Sequence, residues 1–143
     1  MDPLDSAQLD RLRAAAAEAA RHAYAPYSKF CVGAALLFVD GDIVTGCNVE
    51  NVSYGLSSCA ERNALFRAIS EKGHARRIRA IAVANRNNAA STPCGACRQV
   101  LAEFVTPDAV ITFPGDNGSQ TVSFAEIFPC AFTFTPKSNQ DTK

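Results

Sequence analysis

FCVGAALLFVDGDIVTGCNV, residues 30–49, has the pattern of a β-hairpin. Residues 30–39 form an apolar run of the kind that suits a buried strand. Asp40, Gly41 and Asp42 provide a turn signal, and residues 43–49 are predicted to return as an antiparallel strand. We therefore expect this hairpin to belong to a central sheet.

Helical and strand patterns continue outward from the hairpin in both directions. Before it, residues 6–24 have the spacing of an amphipathic helix that Asp5 or Ser6 can cap. After it, the sequence predicts a helix over 59–72 that Gly73 ends, a strand over 79–85, a helix over 93–105, a strand over 110–113, a turn over 114–118, a strand over 121–123 and a short helix over 124–128. This order predicts an α/β domain, a three-layer α/β/α arrangement with a mixed five-stranded sheet, over residues 1–134. The polar residues 135–143 are expected to form a disordered tail.

Composition excludes several classes of protein. The chain has 143 residues, 48% of them hydrophobic, which is enough for one domain with a core that needs no disulfides. No stretch approaches the ~20 apolar residues of a membrane helix, and the acidic start, residues 1–5, does not suggest a secretory signal. The formal net charge is +0, whereas nucleic acid partners require clustered Lys and Arg. We expect a small uncharged substrate, with neither nucleic acid nor a membrane as partner.

The six cysteines are the unusual feature of this composition. Six could form three disulfides, but that framework is typical of small secreted domains with little core. In a reducing cytosol, clustered thiols more often serve metal or redox chemistry, so we expect a cytoplasmic protein. The cysteines are Cys31, Cys47, Cys59, Cys94, Cys97 and Cys130.

Three of these cysteines are predicted to meet at one edge of the sheet. Cys59 opens one predicted helix, and Cys94 and Cys97 open another. Both helices follow strands, so their N-termini should emerge where ligand sites form in open α/β sheets. Helix N-termini favour thiolates, and three protein ligands leave a fourth zinc position open, as in catalytic sites. Glu61, two residues after Cys59, can reach that open position and move protons there.

Two other interpretations of the cysteines remain. A Cys-x-x-Cys pair can be a thioredoxin-like redox site, although that would leave Cys59 and Glu61 without a role. A closed structural zinc site would need a fourth ligand from the remaining cysteines or histidines. We interpret the remaining cysteines as small hydrophobic core residues in or beside strands, and the histidines as surface residues; they are Cys31, Cys47, Cys130, His22 and His74.

Four separated blocks of sequence resemble the small homotetrameric cytidine deaminases of pyrimidine salvage. The Cys-x-Glu and Pro-Cys-x-x-Cys motifs are together the signature of zinc nucleobase deaminases, here with three cysteine ligands. The resemblance extends over roughly residues 24–132, and its blocks are residues 27–35, 46–51, 59–64 and 93–99. It implies a homotetramer with one Zn²⁺ per subunit that converts cytidine and deoxycytidine to uridine and deoxyuridine plus ammonia.

The resemblance also assigns roles to individual residues. It implies that Asn48 and Glu50 bind the ribose, that Phe30 packs on the pyrimidine, and that the Ala60 backbone N–H meets the base carbonyl. It further implies that Phe132 completes the pocket of a neighbouring subunit, although Phe128 and Phe134 lie close by. From the residues alone, Asn48 and Glu50 could be solvated turn residues at the end of a strand, although alternation places both side chains on one face and favours sugar binding. Phe30 could equally be an ordinary core residue.

Arg62 has a separate electrostatic purpose. Zn²⁺ with three thiolates carries a net charge of about −1, which weakens the metal as a Lewis acid. The resemblance implies that the Arg62 guanidinium donates to a ligand sulfur and offsets that charge. The alternative is a surface arginine in an exposed helical turn.

The sequence also leaves alternatives for the substrate and for the class of function. Polynucleotide deaminases need a basic groove, and the only basic run, residues 76–79, more simply begins a strand at a solvated loop. A blasticidin-type deaminase is the nearest alternative within the deaminases. A non-catalytic zinc module that binds nucleosides or a partner protein is the alternative outside them, and it would have no use for Glu61.

Overall fold

A mixed five-stranded sheet forms the centre of the molecule, as predicted. The computed structural model describes residues 2–136. Its elements are α1 (Ser6–Ala20), β1 (Val32–Phe38), β2 (Ile43–Cys47), α2 (Ala60–Lys72), β3 (Ile78–Asn85), α3 (Gly95–Ala102), β4 (Val105–Gly115), β5 (Gly118–Ser123) and α4 (Phe124–Ile127), with a single 3₁₀ turn at Tyr54–Leu56. The strand order is β2-β1-β3-β4-β5, in which only β3 and β4 are parallel neighbours.

Alternation along β1 places helices on both faces of the sheet. Ala35 and Leu37 pack toward α1, against Leu12 and Ala16. The intervening residues of β1 point to the opposite face and join a larger core with α2, α3 and α4; they are Ala34, Leu36 and Phe38. Because successive strand residues face opposite sides, one apolar run can fill both layers. The predicted α/β/α arrangement is therefore confirmed.

Two glycines let the helices approach the hairpin closely. A Cβ on Gly33 would lie 2.0 Å from the carbonyl oxygen of Ala16 on α1. A Cβ on Gly46 would lie 2.4 Å from the backbone nitrogen of Ala64 on α2. Only glycine fits such contacts, so these two residues fix how near each helix lies to the sheet.

Several predicted boundaries were wrong for identifiable reasons. The helix predicted over 6–24 ends at Ala20 because Tyr24 leaves it to exchange backbone hydrogen bonds with the chain after β2. The helix predicted over 93–105 ends at Ala102, since Val105 already pairs with Ile78 at the start of β4. The strand predicted over 110–113 is the 11-residue β4, and that predicted over 121–123 begins at Gly118.

Three further predictions concern single residues and segments. Cys31 and Cys47 are only partly buried and Cys130 is exposed, so the expectation that they are core residues was wrong. Most of the predicted tail, residues 137–143, lies outside the described residues. Across residues 2–136, every helix is too short or too polar to cross a membrane.

Candidate metal centre

The sheet topology brings the starts of α2 and α3 to the same edge. β2 and β3 are both antiparallel to β1, so they run in the same direction and end together. Cys59 is the N-cap of α2, Cys94 is the N-cap of α3, and Cys97 lies in the first turn of α3. Both N-caps have extended backbone angles, and the Cys94 sulfur accepts a hydrogen bond from the Cys97 backbone N–H at 3.5 Å, whereas the Cys59 sulfur accepts none from the backbone N–H groups at the start of α2.

The three cysteine sulfurs form one compact cluster. All lie within 4.8 Å of one another. The Sγ of Cys94 is 3.8 Å from that of Cys59 and 3.5 Å from that of Cys97. Tetrahedral zinc with Zn–S bonds of about 2.3 Å places its sulfurs about 3.8 Å apart, so this spacing fits one zinc ion. The predicted convergence of these residues is confirmed.

The cluster offers three ligands rather than four. Within residues 2–136, no other His, Cys, Asp or Glu joins it. His22 and His74 are exposed, as expected. A site with three protein ligands keeps one position for water or substrate, which distinguishes catalytic from structural zinc sites.

Hydrogen bonds within the cluster favour a thiolate at Cys59. Donation from Cys97, then from Arg62, lowers the pKa of Cys59 to about 5. The Nη2 of Arg62 lies 3.4 Å from the Cys59 sulfur. The pKa of Cys97 is raised, because its thiol donates to Cys59 and is itself buried. A thiolate is the form of cysteine that binds metal.

Glu61 places a buried carboxylate beside the sulfurs. The residue is only 4% exposed, and its Oε2 lies 3.7 Å from the Cys97 sulfur. Burial raises the pKa of this carboxyl, and the neighbouring charge of Cys59 adds to the effect. Such a group holds and releases a proton closer to neutral pH than an exposed glutamate does.

A cavity of about 340 Å³ opens directly onto the cluster. Its size suits a small molecule rather than a polymer. The wall contains two of the metal ligands together with the predicted site residues Phe30, Asn48, Ala60 and Glu61. The other lining residues are Ser28, Val32, Val83, Ser91 and Thr92.

The family profile for the cytidine and deoxycytidylate deaminase zinc-binding region matches residues 6–113. The chain belongs to this deaminase family. Similar proteins named cytidine deaminase include one from Halalkalibacterium halodurans, 48% identical over 119 residues that cover 82% of this chain and 89% of that protein. Another, from Mycobacterium tuberculosis, is 50% identical over 103 residues, 72% of this chain and 76% of that protein.

Solved cytidine deaminases have the same fold. The crystal structure from Burkholderia pseudomallei superposes with a TM-score of 0.78 at 44% identity, covering 86% of this chain and 98% of that one. The structure from Mycobacterium tuberculosis gives a TM-score of 0.77 at 40% identity, covering 92% of this chain and all of that one, 100%. The deaminase fold therefore accounts for nearly the whole described chain.

Two of the predicted substrate residues of this deaminase family member are already engaged with the chain itself. The side-chain amide of Asn48 accepts from the Val32 backbone N–H and donates to the Phe30 carbonyl. Glu50 accepts hydrogen bonds from the backbone N–H and the hydroxyl of Ser28. Glu50 lines a neighbouring cavity of about 360 Å³ with Ser28, rather than the cavity above the sulfurs.

Phe132 is not brought to the cavity of its own chain. Its side chain is 75% exposed, and its carbonyl accepts a hydrogen bond from Gln99 of α3. Ser91 and Thr92 were missed by the sequence analysis although they line the cavity. Their position directly before the Pro93-Cys94 motif was the available signal, because residues next to a metal ligand must lie near the metal.

Proposed function

We propose that this chain is a zinc-dependent hydrolase that deaminates cytidine to uridine and ammonia. The observation that carries the proposal is the buried Glu61 carboxylate beside three clustered cysteine sulfurs, at the base of a cavity sized for a small molecule. The named relatives are cytidine deaminases at 48% and 50% identity. A redox pair or a purely structural zinc site would give no role to the buried carboxylate.

The proposed chemistry divides between the metal and the chain. Cys59, Cys94 and Cys97 would hold Zn²⁺, which when bound would lower the pKa of water and supply the nucleophile. Glu61 accepts the proton of the attacking water and delivers it to ring N3 of cytosine. A C–O bond then forms at C4 as the N3=C4 double bond opens. Glu61 next carries the proton of the added hydroxyl to the exocyclic amino group, so that the bond from C4 to this amino group breaks, ammonia leaves and the C4 carbonyl of uridine forms.

The remaining site residues are proposed to hold the substrate and tune the sulfurs. Phe30 packs on the pyrimidine, and the Ala60 backbone N–H meets the base carbonyl; both line the cavity. Asn48 and Glu50 bind the ribose. Because the Asn48 amide already bonds the backbone at 2.8 Å on both sides, it also shapes the wall that the sugar meets. Arg62 donates to the Cys59 sulfur and offsets the negative charge of the thiolates.

A free nucleoside is the proposed substrate class, and deoxycytidine is included. The basic run at residues 76–79 lies at the start of β3, whereas the cysteine cluster lies beyond its other end. The basic run therefore lies at the opposite end of β3 from the cavity and cannot serve as a groove for a polynucleotide backbone beside it. Ammonia release from cytidine, deoxycytidine and blasticidin S, measured in parallel, separates this assignment from a blasticidin-type deaminase. Faster release from blasticidin S than from either nucleoside would reassign the substrate.

The central experiment measures zinc content and cytidine turnover on one preparation. We expect one zinc per chain and ammonia release in step with loss of cytidine. Glu61→Gln should retain zinc and lose at least about 100-fold in turnover, because a general acid–base group contributes about 10²–10⁴-fold. Glu71→Gln, an exposed change on the same helix, is the matched control and should leave both quantities unchanged. A Glu61→Gln protein with the wild-type rate would contradict the proposal.

We further propose a cytoplasmic homotetramer that acts in pyrimidine salvage. All six cysteines are free, which suits a reducing compartment. The exposed ring of Phe132, and the exposed apolar residues Val52, Tyr54 and Leu56, are consistent with surfaces between subunits.

A complementation experiment tests whether neighbouring subunits complete each site. Phe132→Ala subunits keep Glu61, and Glu61→Gln subunits keep Phe132. After the two proteins are mixed and reassembled, we expect more activity than the sum of the two separate proteins. Activity that equals the sum of the separate proteins would contradict the shared site, and the mass in solution checks the tetramer directly.

A further inference from the structure

Asn63 ties the start of α2 to the sheet immediately beside the ligand Cys59. Its backbone N–H donates to the Cys59 carbonyl at 3.1 Å. Its side-chain Nδ2 reaches back to the carbonyl of Ser58 at 3.3 Å and to the carbonyl of Cys47, the last residue of β2, at 2.8 Å. Its Oδ1 accepts the Ser58 hydroxyl at 2.6 Å. The peptide on each side of the ligand is therefore held by one residue.

Arg98 makes the same kind of contact at the start of α3. It lies four residues after Cys94, and its backbone N–H donates to the Cys94 carbonyl at 3.0 Å. Its Nε reaches back to the carbonyl of Pro93 at 2.8 Å, and its Nη2 donates to the hydroxyl of Thr92 at 3.2 Å. Its Nη1 donates to the carbonyl of Ile127, at the end of α4, at 2.6 Å.

We propose that Asn63 and Arg98 are paired positioning residues that aim the Cys59 and Cys94 sulfurs at the metal. The φ and ψ of an N-cap cysteine set the direction of its Cα–Cβ bond and so the region its sulfur can reach, and those angles are fixed when both flanking peptides are held. Each residue holds the peptide before the ligand with its side chain and the peptide after it with its backbone N–H. Outer partners of metal ligands usually contribute about 10–100-fold to metal affinity.

Asn63 and Arg98, the two anchor residues, are not expected to contribute equally to zinc binding. Ser58, before the first ligand, is also held by two backbone hydrogen bonds to Val49, each 2.9 Å long. Within residues 2–136, no backbone-to-backbone hydrogen bond reaches Thr92 or Pro93. The segment before Cys94 thus depends on Arg98, so loss of Arg98 should have the larger effect.

Each helix also carries a side chain that bonds to another segment of the chain but not to the peptides beside the ligand cysteine. These two side chains provide matched controls. On α2, Arg67 donates from Nη1 to the carbonyl of Thr45 in β2 at 3.2 Å. On α3, Gln99 donates to the carbonyl of Phe132 at 3.2 Å. Removal of either side chain loosens packing of the same helix but leaves both peptides beside the ligand in place.

The test measures the zinc dissociation constant of the full-length protein by competition with a chelator of known affinity. Measurements are made at a temperature at which circular dichroism shows each protein to be folded. We expect Arg98→Ala to raise the dissociation constant by about 10–100-fold and Asn63→Ala to raise it by less. Arg67→Ala and Gln99→Ala should stay within about twofold of wild type, even where they lower the unfolding temperature.

Conservative variants keep the proposal testable if an alanine variant fails to fold. Arg98→Lys retains the charge, but its single nitrogen cannot reach the three separate acceptors that Nε, Nη1 and Nη2 of Arg98 reach, so an intermediate loss of zinc affinity is expected. Asn63→Asp retains the acceptor and loses the donor, and should weaken zinc binding as well. The absorption spectrum of the cobalt-substituted protein reports the geometry of the sulfur ligands directly, and it should change in these variants and not in the controls.

The inference rests on the zinc site of the proposed function, and the outcomes separate the two. If the wild-type protein holds zinc and both anchor variants bind it as tightly, the inference is overturned while the proposed function stands. Equal losses in the controls would likewise overturn it, because the effect would then be general loosening of the helices. A wild-type protein that binds no zinc would overturn both.

Discussion

Asn48 joins the end of β2 to the start of β1 through both ends of its side-chain amide. Its Oδ1 accepts from the Val32 backbone N–H at 2.8 Å, and its Nδ2 donates to the Phe30 carbonyl at 2.8 Å. Phe30, Val32 and Asn48 all line the cavity above the cysteine cluster. The amide therefore sets the shape of this wall as well as bringing a polar group to it.

Asn48→Asp should destabilise the protein and weaken substrate binding. The carboxylate keeps an acceptor for Val32 but places a negative oxygen against the Phe30 carbonyl, where a donor is needed. A partly buried group left without its partner costs about 1–3 kcal/mol, which urea unfolding measures. We also expect KM for cytidine to rise more than kcat falls.

Asn51→Asp is the matched control for that experiment. The Asn51 side chain only accepts, from the Ser53 backbone N–H at 2.9 Å, so a carboxylate can replace it. Its free energy of unfolding should change by less than about 0.5 kcal/mol. If Asn48→Asp were as stable as Asn51→Asp, the donor role of the Asn48 amide would be wrong.

Gly46→Ala should displace α2 and thereby weaken the metal site. The added Cβ would lie 2.4 Å from the backbone nitrogen of Ala64, and backbone cannot move aside as a side chain can. Overpacking of this kind costs about 1–3 kcal/mol, visible as a lower unfolding temperature. Because Cys59 is the N-cap of the displaced helix, zinc content should fall too.

Gly55→Ala provides the comparison for Gly46→Ala. A Cβ on Gly55 meets no atom within 4 Å, and its φ does not require glycine. We expect unchanged stability and zinc content. Similar losses in both variants would show that α2 does not depend on the close contact at Gly46.

Much of this site could be predicted from the sequence because it depends on local rules. The apolar run of the hairpin, the helix starts at Cys59 and Cys94, and their convergence at one sheet edge all follow from periodicity, capping and strand direction. The location of the Glu61 carboxylate beside the sulfurs was predictable in the same way, because Glu61 comes two residues after Cys59 at the start of the helix.

What the sequence did not reveal depends on contacts between distant segments. Val105 has the apolar character of a last helical turn, and only its pairing with Ile78 makes it a strand residue. Asn48 looked like a free polar group, and only the folded hairpin shows that its amide is used by the backbone. The reach of Arg98 to Ile127 likewise spans 29 residues, beyond any local pattern.

Asp42→Asn should make the free energy of unfolding less sensitive to a fall in pH. Lys72, at 2.9 Å, and Arg76, at 2.7 Å, lower the pKa of the Asp42 carboxyl below its ordinary 3.8. A lowered folded-state pKa means that the stabilisation is fully present above the unfolded value and is lost as pH falls through the folded one. The wild-type protein should thus exceed Asp42→Asn in stability at pH 7, and the difference should shrink below about pH 3.8.

Urea unfolding of both proteins at pH 7 and in acid measures this difference. Release of zinc in acid affects both proteins alike and cancels in the comparison. Glu103→Gln is the control, because within residues 2–136 the Glu103 carboxylate has no hydrogen-bond or ion-pair partner; it should track wild type at each pH. A wild-type advantage over Asp42→Asn that stayed constant down to low pH would rule out the ion pairs as its source.

Arg62→Gln should lower kcat while the protein keeps its zinc. The guanidinium Nη2 donates to the Cys59 sulfur at 3.4 Å, and its loss leaves more negative charge on the thiolate. A more negative ligand set makes zinc a weaker Lewis acid, so turnover should fall by about 10–100-fold at full zinc occupancy. Arg62→Lys retains the positive charge without the planar fork and should lose less. Zinc content and kcat are measured on the same samples; a Gln variant with wild-type kcat, or a Lys variant as slow as Gln, would show that the charge of Arg62 does not act through Cys59.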